Sequence, residues 1–155
     1  MRPALETLES RLTPSTLNLA PVGVVNGVVL YSANLSSDVQ AAGNNVTISV
    51  SGSKYVITDL GEEIQLSKDA RDQGWEIVDA NTVRGPTANL ARLKISTEDG
   101  NDVVNVRGLL HPLEIDGGDG TDLVSVTADA NFDLNDTSIT TGGVLPTITL
   151  QNFAG

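Results

Sequence analysis

From about residue 20 onward the chain alternates apolar and polar residues and carries almost nothing of helical period. Val46-Thr-Ile-Ser-Val50 alternates as a half-buried strand does, Ser51-Gly-Ser-Lys54 follows as a turn, and Tyr55-Val-Ile-Thr58 resumes the pattern. β-Branched runs joined by a short glycine-containing loop predict a hairpin. Glu62-Glu-Ile-Gln-Leu66 predicts a further short strand, and Leu19 to Ala33, interrupted by Asn26, reads as the first strand of the domain. Residues 3–14 have a different period. Leu5, Leu8 and Leu12 fall on one helical face between Pro3, which can begin a helix, and Pro14, which stops it.

The informative stretch is a repeat. Leu93-Lys-Ile-Ser-Thr-Glu-Asp-Gly-Asn-Asp-Val-Val-Asn-Val106 is followed, 20 residues on, by Leu113-Glu-Ile-Asp-Gly-Gly-Asp-Gly-Thr-Asp-Leu-Val-Ser-Val126. Both blocks read strand, acidic glycine turn ending in Asp, strand. Trp75-Glu-Ile77 and Phe132-Asp-Leu134 look like fainter copies of the first strand, with starts 18, 20 and 19 residues apart along the series. A fixed period of this size is the mark of a solenoid, in which one coil cannot bury its own face and must stack on the next. Leu93 is then expected under Leu113 and Ile95 under Ile115, about 4.8 Å apart. The expected fold is all-β: a right-handed β-solenoid, parallel β-helix-like, with an N-terminal hairpin region. The alternative is an antiparallel β-sandwich, which also has many short strands but needs no constant offset. Residues 1–20 read as an N-terminal export or sorting segment and 21–155 as the β-rich domain, with hairpins over 21–70 and coils over 71–155.

Composition narrows the function. The 155 residues hold 9 Lys plus Arg against 20 Asp plus Glu, a net charge of −11. Nucleic-acid binding rests on neutralising phosphates with basic groups, so a nucleic-acid partner is not expected. Aromatic residues are 3% of the chain, so any core must be aliphatic and stacking on sugars is disfavoured. The absence of Cys removes disulfides, thiolate metal sites and thiol nucleophiles. No run approaches the length of a membrane span.

The acidic turns carry the candidate chemistry. Gly117-Gly-Asp-Gly-Thr-Asp122 resembles the first part of the RTX nonapeptide, GGxGxDxUx, whose parallel β-rolls bind calcium. The strand then continues without a second nonapeptide, and Thr97-Glu-Asp-Gly-Asn-Asp102 keeps only the final Gly-x-Asp. Stacking would bring Asp99 to Asp119 and Asp102 to Asp122, with Glu98 and Asp116 nearby. Like charges about 4 Å apart repel by about 1 kcal/mol in water and about 4 kcal/mol at an effective dielectric of 20. Calcium, which takes about six to eight hard oxygen ligands, would turn that repulsion into a cross-link. The competing reading is a set of solvated turns, for which Asp, Asn and Gly are the ordinary residues.

Leu-Glu-Ser-Arg-Leu-Thr-Pro (8–14) resembles the LEPRxLL-type N-terminal motif of large secreted surface proteins of planctomycete bacteria. It departs from that pattern by starting almost at Met1 and by having only Arg2 as a basic stretch. The resemblance implies a secreted or cell-surface protein.

Other motifs point to turns and core rather than catalysis. His111, the single histidine, precedes Pro112 in a connecting turn, and Ser51-Gly-Ser-Lys54 fits S-x-x-K only in a hairpin context. Asn34, Asn45 and Asn135 head N-x-Ser/Thr triplets, a frequent chance match; Trp75 reads as core or the end of a rung, the alternative being a contact surface shared with Arg71. The functional expectation is a non-enzymatic structural or adhesive module stiffened by calcium. A carbohydrate-binding or carbohydrate-cleaving β-helix is the alternative, to be favoured by an aromatic stripe or a groove holding two carboxylates. Only Gln-Asn-Phe-Ala-Gly follows the last strand at Thr147–Leu150, so a C-terminal continuation or another copy is expected to cover that end.

Overall fold

A computed structural model describes residues 14–37 and 43–153. The helical stretch expected at 3–14 and the LEPRxLL-like residues, apart from Pro14, lie outside them. Alternation and β-branched residues produce strands throughout, arranged in two open sheets. The first runs β5 (Ile64–Leu66), β1 (Ser15–Val25), β2 (Val28–Ser36), β8 (Leu90–Ser96), β10 (Leu113–Asp116), β14 (Ile148–Gln151), β13 (Ser138–Thr140), β12 (Asp133–Asn135). The second runs β6 (Glu76–Asp79), β7 (Thr82–Pro86), β4 (Lys54–Asp59), β3 (Asn45–Ser51), β9 (Val103–Val106), β11 (Leu123–Val126). A short helix, α1 (Lys68–Asp72), is capped by Ser67, whose side chain accepts from the Ala70 N–H. Among the described residues no helix is long and apolar enough to cross a membrane.

The two sheets share a mainly aliphatic core, in which Tyr55 and Trp75 are also buried. Leu17, Leu35, Leu93, Ile95, Leu113 and Ile148 come from the first sheet; Val46, Ile48, Ile57, Val83, Val104 and Val106 come from the second. Each such side chain contributes about 1.5–3 kcal/mol when fully buried. The protein is therefore all-β, with mixed sheets in a sandwich-like arrangement.

Within that sandwich the two repeat blocks lie in register. Leu113 pairs with Leu93 and Ile115 with Ile95 in a parallel ladder between β10 and β8. Leu123 pairs with Val103 and Val126 with Val106 between β11 and β9, at the same offset of 20 residues. The chain thus passes from the first sheet to the second through an acidic turn, returns through residues 107–112, and repeats. Its backbone repeats too: Glu98 and Gly118 have φ of 62° and 73°, and Gly100 and Gly120 have φ of 131° and 139°.

An earlier pair of strands, with no visible copy of the repeat in its sequence, lies in the same parallel register as these two blocks. β2 pairs in parallel with β8 (Ala33 with Leu93, Leu35 with Ile95), and β3 pairs in parallel with β9 (Val46 with Val104, Ile48 with Val106). Residues between β3 and β8 build β4–β7 and α1, an excursion that extends the second sheet by antiparallel strands and places β5 beside β1.

Two expected copies are not windings. Trp75-Glu-Ile77 leads into β6, which pairs antiparallel with β7 rather than stacking under β8. Phe132-Asp-Leu134 leads into β12, antiparallel to β13 at the far edge, and the place beside β10 is taken by β14. An uninterrupted run of coils over 71–155 is thus not present. The expected first strand, Leu19 to Ala33, is a hairpin: Asn26 and Gly27, with φ of 50° and 80°, turn β1 back into β2. Both central residues at positive φ are what a type I′ hairpin turn requires. The hairpin expected around Ser51–Lys54 is present as β3 and β4.

Candidate functional site

The acidic turns form one edge of the sandwich, where each winding crosses between sheets. Two rows of residues align there. In the outer row Asp99 and Asp119 form a parallel bridge: the Gly100 N–H donates to the Asp119 carbonyl at 2.8 Å and the Asp119 N–H to the Glu98 carbonyl at 3.0 Å. Asp99 is half-buried and Asp119 exposed. Their alignment is made by backbone groups.

The inner row does more. The Asn44 N–H donates to Asp102 Oδ1 at 2.6 Å, and the Asp102 N–H donates to Asp122 Oδ1 at 3.0 Å. Backbone bonds run alongside, from the Val103 N–H to the Asn44 carbonyl (2.9 Å) and from the Leu123 N–H to the Asp102 carbonyl (2.8 Å). Asn44, Asp102 and Asp122 therefore occupy equivalent places beside three neighbouring strands, and each carboxylate receives the amide of the place before it. Charged acceptors make the stronger hydrogen bonds.

The glycines of the motif have a steric reason. A Cβ on Gly118 or Gly120 would collide with the backbone of Glu98 or Gly100 in the preceding winding, and one on Gly117 would lie 2.6 Å from Asp122 Oδ2. On this geometry Gly-Gly-x-Gly-x-Asp is a stacking signature: glycine where backbones meet, and aspartate where the next amide must be received.

Burial makes the inner carboxylates reluctant acids. Asp102 is almost fully buried, and desolvation raises its pKa. The bond from Asn44 and the Thr97 hydroxyl pull the other way, while the charges of Asp122 and Asp59 add to the rise. Desolvation also raises the pKa of Asp122, against the bond from the Asp102 N–H. Among the described residues, no hydrogen bond reaches Oδ2 of either residue.

Sequence reasoning missed the polar group that continues this row into the core. Asn44 Nδ2 donates to Asp59 Oδ2 (2.7 Å) and Glu62 Oε1 (2.8 Å), and the Ser15 hydroxyl donates to Glu62 Oε1 (2.5 Å). The amides of Asn45 (3.0 Å) and Gly61 (2.9 Å) donate to Asp59 Oδ1. Ser15, Asn44, Asp59 and Glu62 are all buried. Glu62 opens the short strand expected at 62–66 and Asp59 directly follows the predicted hairpin, with nothing in the local pattern to mark either carboxylate as buried.

The fit to calcium is incomplete. Asp102 and Asp122 each use Oδ1 on an amide, and Asp99 and Asp119 are aligned through backbone. Among the described residues, no three His, Asp or Glu side chains converge as a metal-binding group. Calcium needs about six to eight oxygens.

Elsewhere, His111 Nδ1 lies 2.9 Å from the Tyr55 hydroxyl, which accepts the Leu110 N–H at 2.8 Å. Burial lowers the pKa of His111 and raises that of Tyr55. Trp75 is buried in the core, its ring so close over Gly85 that no Cβ would fit there. A cleft of about 230 Å³ beside α1 is lined by Leu19, Pro21, Tyr31, Asp69, Asp72 and Gln73.

No family model, curated protein or solved structure matches this chain.

Proposed function

We propose that the protein is a non-enzymatic structural module of β-solenoid type, secreted or held at the cell surface. One observation carries this reading: two blocks 20 residues apart superimpose in both sheets, with matching turn backbones and a carboxylate in each receiving the amide of its neighbour. Such a body gains rigidity by adding like units, because each winding buries the face of the next. The anchoring of His111 to Tyr55 supports the absence of a catalytic role for the single histidine. The LEPRxLL-like residues support export. A tagged full-length chain expressed in a planctomycete host is expected in the medium or on the cell surface; retention in the cytoplasm overturns the location. Calcium has a limited place in this proposal, through Oδ2 of Asp102 and Asp122, which accept no hydrogen bond among the described residues. If it binds there, millimolar calcium raises the melting temperature and Asp102→Asn with Asp122→Asn abolishes the rise; an unchanged melting curve removes calcium from the account.

A second reading, carbohydrate binding or cleavage, is favoured by the cleft that brings Asp69, Asp72 and Tyr31 together. Against it, the cleft is smaller than the roughly 300–1,000 Å³ usual for ligand pockets, and Asp72 is paired with Lys68. Incubation with a polysaccharide panel separates the two: the structural reading expects neither retention nor release of reducing ends, and sugar retention lost in Asp69→Asn would support the second.

A further inference from the structure

The turn at the tip of the β1–β2 hairpin carries a reactive pair of residues. β5 pairs with β1 only as far as Leu17, and β8 pairs with β2 only from Tyr31 onward. Among the described strands, the segments from Gly23 to Leu30 are therefore paired only with each other, closed by Asn26 and Gly27. A two-stranded ribbon alone is marginally stable in water, and such places open locally before a core does. Asn26 and Gly27 are exposed, and among the described residues no hydrogen bond reaches the Asn26 side chain or the Gly27 N–H. A Cβ added at Gly27 would meet nothing within 4 Å.

These are the conditions for an intramolecular reaction. The Gly27 nitrogen and Asn26 Cγ are tethered so that a bond between them closes a five-membered ring, and tethering replaces a bimolecular encounter. Glycine sets no side chain beside the nitrogen and lets the backbone rotate toward the attacking conformation. We propose that Asn26 is a site of spontaneous deamidation, which places a carboxylate at the tip of the hairpin. Solvent base takes the Gly27 N–H proton and the nitrogen bonds to Cγ. The Cγ–Nδ2 bond then breaks, and the departing nitrogen takes a proton from water and leaves as ammonia. Water adds to one of the two carbonyls of the cyclic imide, and the bond from that carbonyl to nitrogen breaks. The product is aspartate or, with the main chain rerouted through the side chain, isoaspartate. One water is consumed, one ammonia is released, and nothing is oxidised or reduced.

The fold singles out this position. None of the other eleven asparagines precedes a glycine. Asn18, Asn34, Asn45 and Asn105 lie within strands and precede Leu or Val. The side-chain amide of Asn44 is held by Asp59 and Glu62, and that of Asn81 by the carbonyls of the same two residues. In the acidic turns, Gly100 and Gly117 follow aspartates, but their N–H groups donate to the carbonyls of Asp119 and Gln151 at 2.8 and 3.0 Å. Residues 12–37 contain no charged side chain, and Val24, Val25, Val28 and Val29 flank the turn at 38–66% exposure. Deamidation thus puts the first charge on an apolar arm. Its isoaspartate form also lengthens the two-residue turn whose positive-φ geometry sets the pairing of Val25 with Val28. This inference does not depend on the proposed structural function.

The test is incubation of the folded full chain at physiological temperature and mildly alkaline pH, read by peptide mapping with mass spectrometry and by native isoelectric focusing. The fragment holding Asn26 is expected to gain one mass unit before any other asparagine does, at a rate comparable with that of the chain unfolded in urea and rising with pH. It should split into aspartate and isoaspartate forms on reversed-phase chromatography, while the whole chain gains a band one charge more acidic. Asn26→Gln, whose longer side chain closes a ring less readily, should lose both the mass gain and the acidic band. A different asparagine converting first overturns the inference, as does an Asn26 that stays intact in the folded chain. An Asn26→Gln variant that accumulates the acidic band at the wild-type rate overturns it too. Site mapping of the wild type decides the matter even where the variant fails to fold.

Discussion

Replacing Gly118 by alanine probes the contact between windings directly. At φ 73° this residue is in the left-handed region, as is Gly142 at φ 60°. An alanine Cβ at 118 would stand 2.5 Å from the carbonyl carbon of Glu98 and 2.9 Å from its Cα, and closer still to its oxygen. At 142 it would meet nothing within 4 Å. Carbon–oxygen contacts ordinarily settle at about 3.3–3.6 Å, so the winding must move. The left-handed backbone costs an L-residue about 1–2 kcal/mol, and that cost is common to both sites. Forcing the neighbouring backbone aside adds about 1–3 kcal/mol. Gly142→Ala should therefore lose about 1–2 kcal/mol, and Gly118→Ala about 2–5 kcal/mol by the same terms combined. Urea titration followed by the fluorescence of Trp75, the single and buried tryptophan, measures both. The slope with denaturant should stay constant while the midpoint shifts. Equal losses at the two sites would refute the reasoning, because they would mean that Gly118 has no winding against it.

Asp102→Asn keeps an oxygen for the Asn44 amide and removes a buried charge. Because burial raises the folded pKa of Asp102, the native state holds this proton more tightly than the unfolded chain. The associated stability is complete below the ordinary carboxylate pKa and disappears as pH rises through the raised value. The variant should show a flatter profile across that window and no loss at pH 7; an unchanged pH profile contradicts the assignment. His111, whose pKa is lowered, acts with the opposite sign near and below its ordinary value, equally in both proteins, so the difference between them isolates Asp102. Glu98→Gly relieves the left-handed strain at φ 62° and should raise stability by about 1 kcal/mol, read from the urea midpoint. Tyr55→Phe removes the acceptor of the Leu110 amide and the partner of His111, at a cost of about 1–2 kcal/mol by thermal or urea unfolding.

The Leu93/Leu113 register was legible in the sequence because a parallel stack demands similar residues at one offset in strand and turn alike. The earlier strand pair was not legible. Gly43-Asn44-Asn45 lacks the acidic signature, and some 60 residues separate β2 from β8 in the ladder that joins Ala33 to Leu93. Asn44 can take the equivalent place because at the head of the row only its amide must be donated. Trp75 and Phe132 looked like ladder residues through a short apolar-x-apolar pattern, but hairpin connections to β7 and β13 decide their partners. Val-Val-Asn-Gly-Val-Val carried a strong hairpin signal that the surrounding apolar run concealed. In the glycine turn, the residue types that suggest calcium also allow close backbone approach, and sequence spacing does not separate those two demands.

The superposition of windings has one direct test. The chain contains no cysteine, and Lys94 and Glu114 are in register on adjacent parallel strands, with their charged groups 3.1 Å apart. Lys94→Cys combined with Glu114→Cys should oxidise to an intramolecular disulfide, seen as a loss of about 2 Da by intact mass and reversed by reductant, since adjacent strands fall within the Cα separation a disulfide spans. Lys94→Cys with Asp133→Cys should remain reduced, because β14 and β13 lie between β10 and β12. Failure of the 94–114 pair to cross-link in a folded protein, or equal cross-linking of the 94–133 pair, would contradict the stacked arrangement.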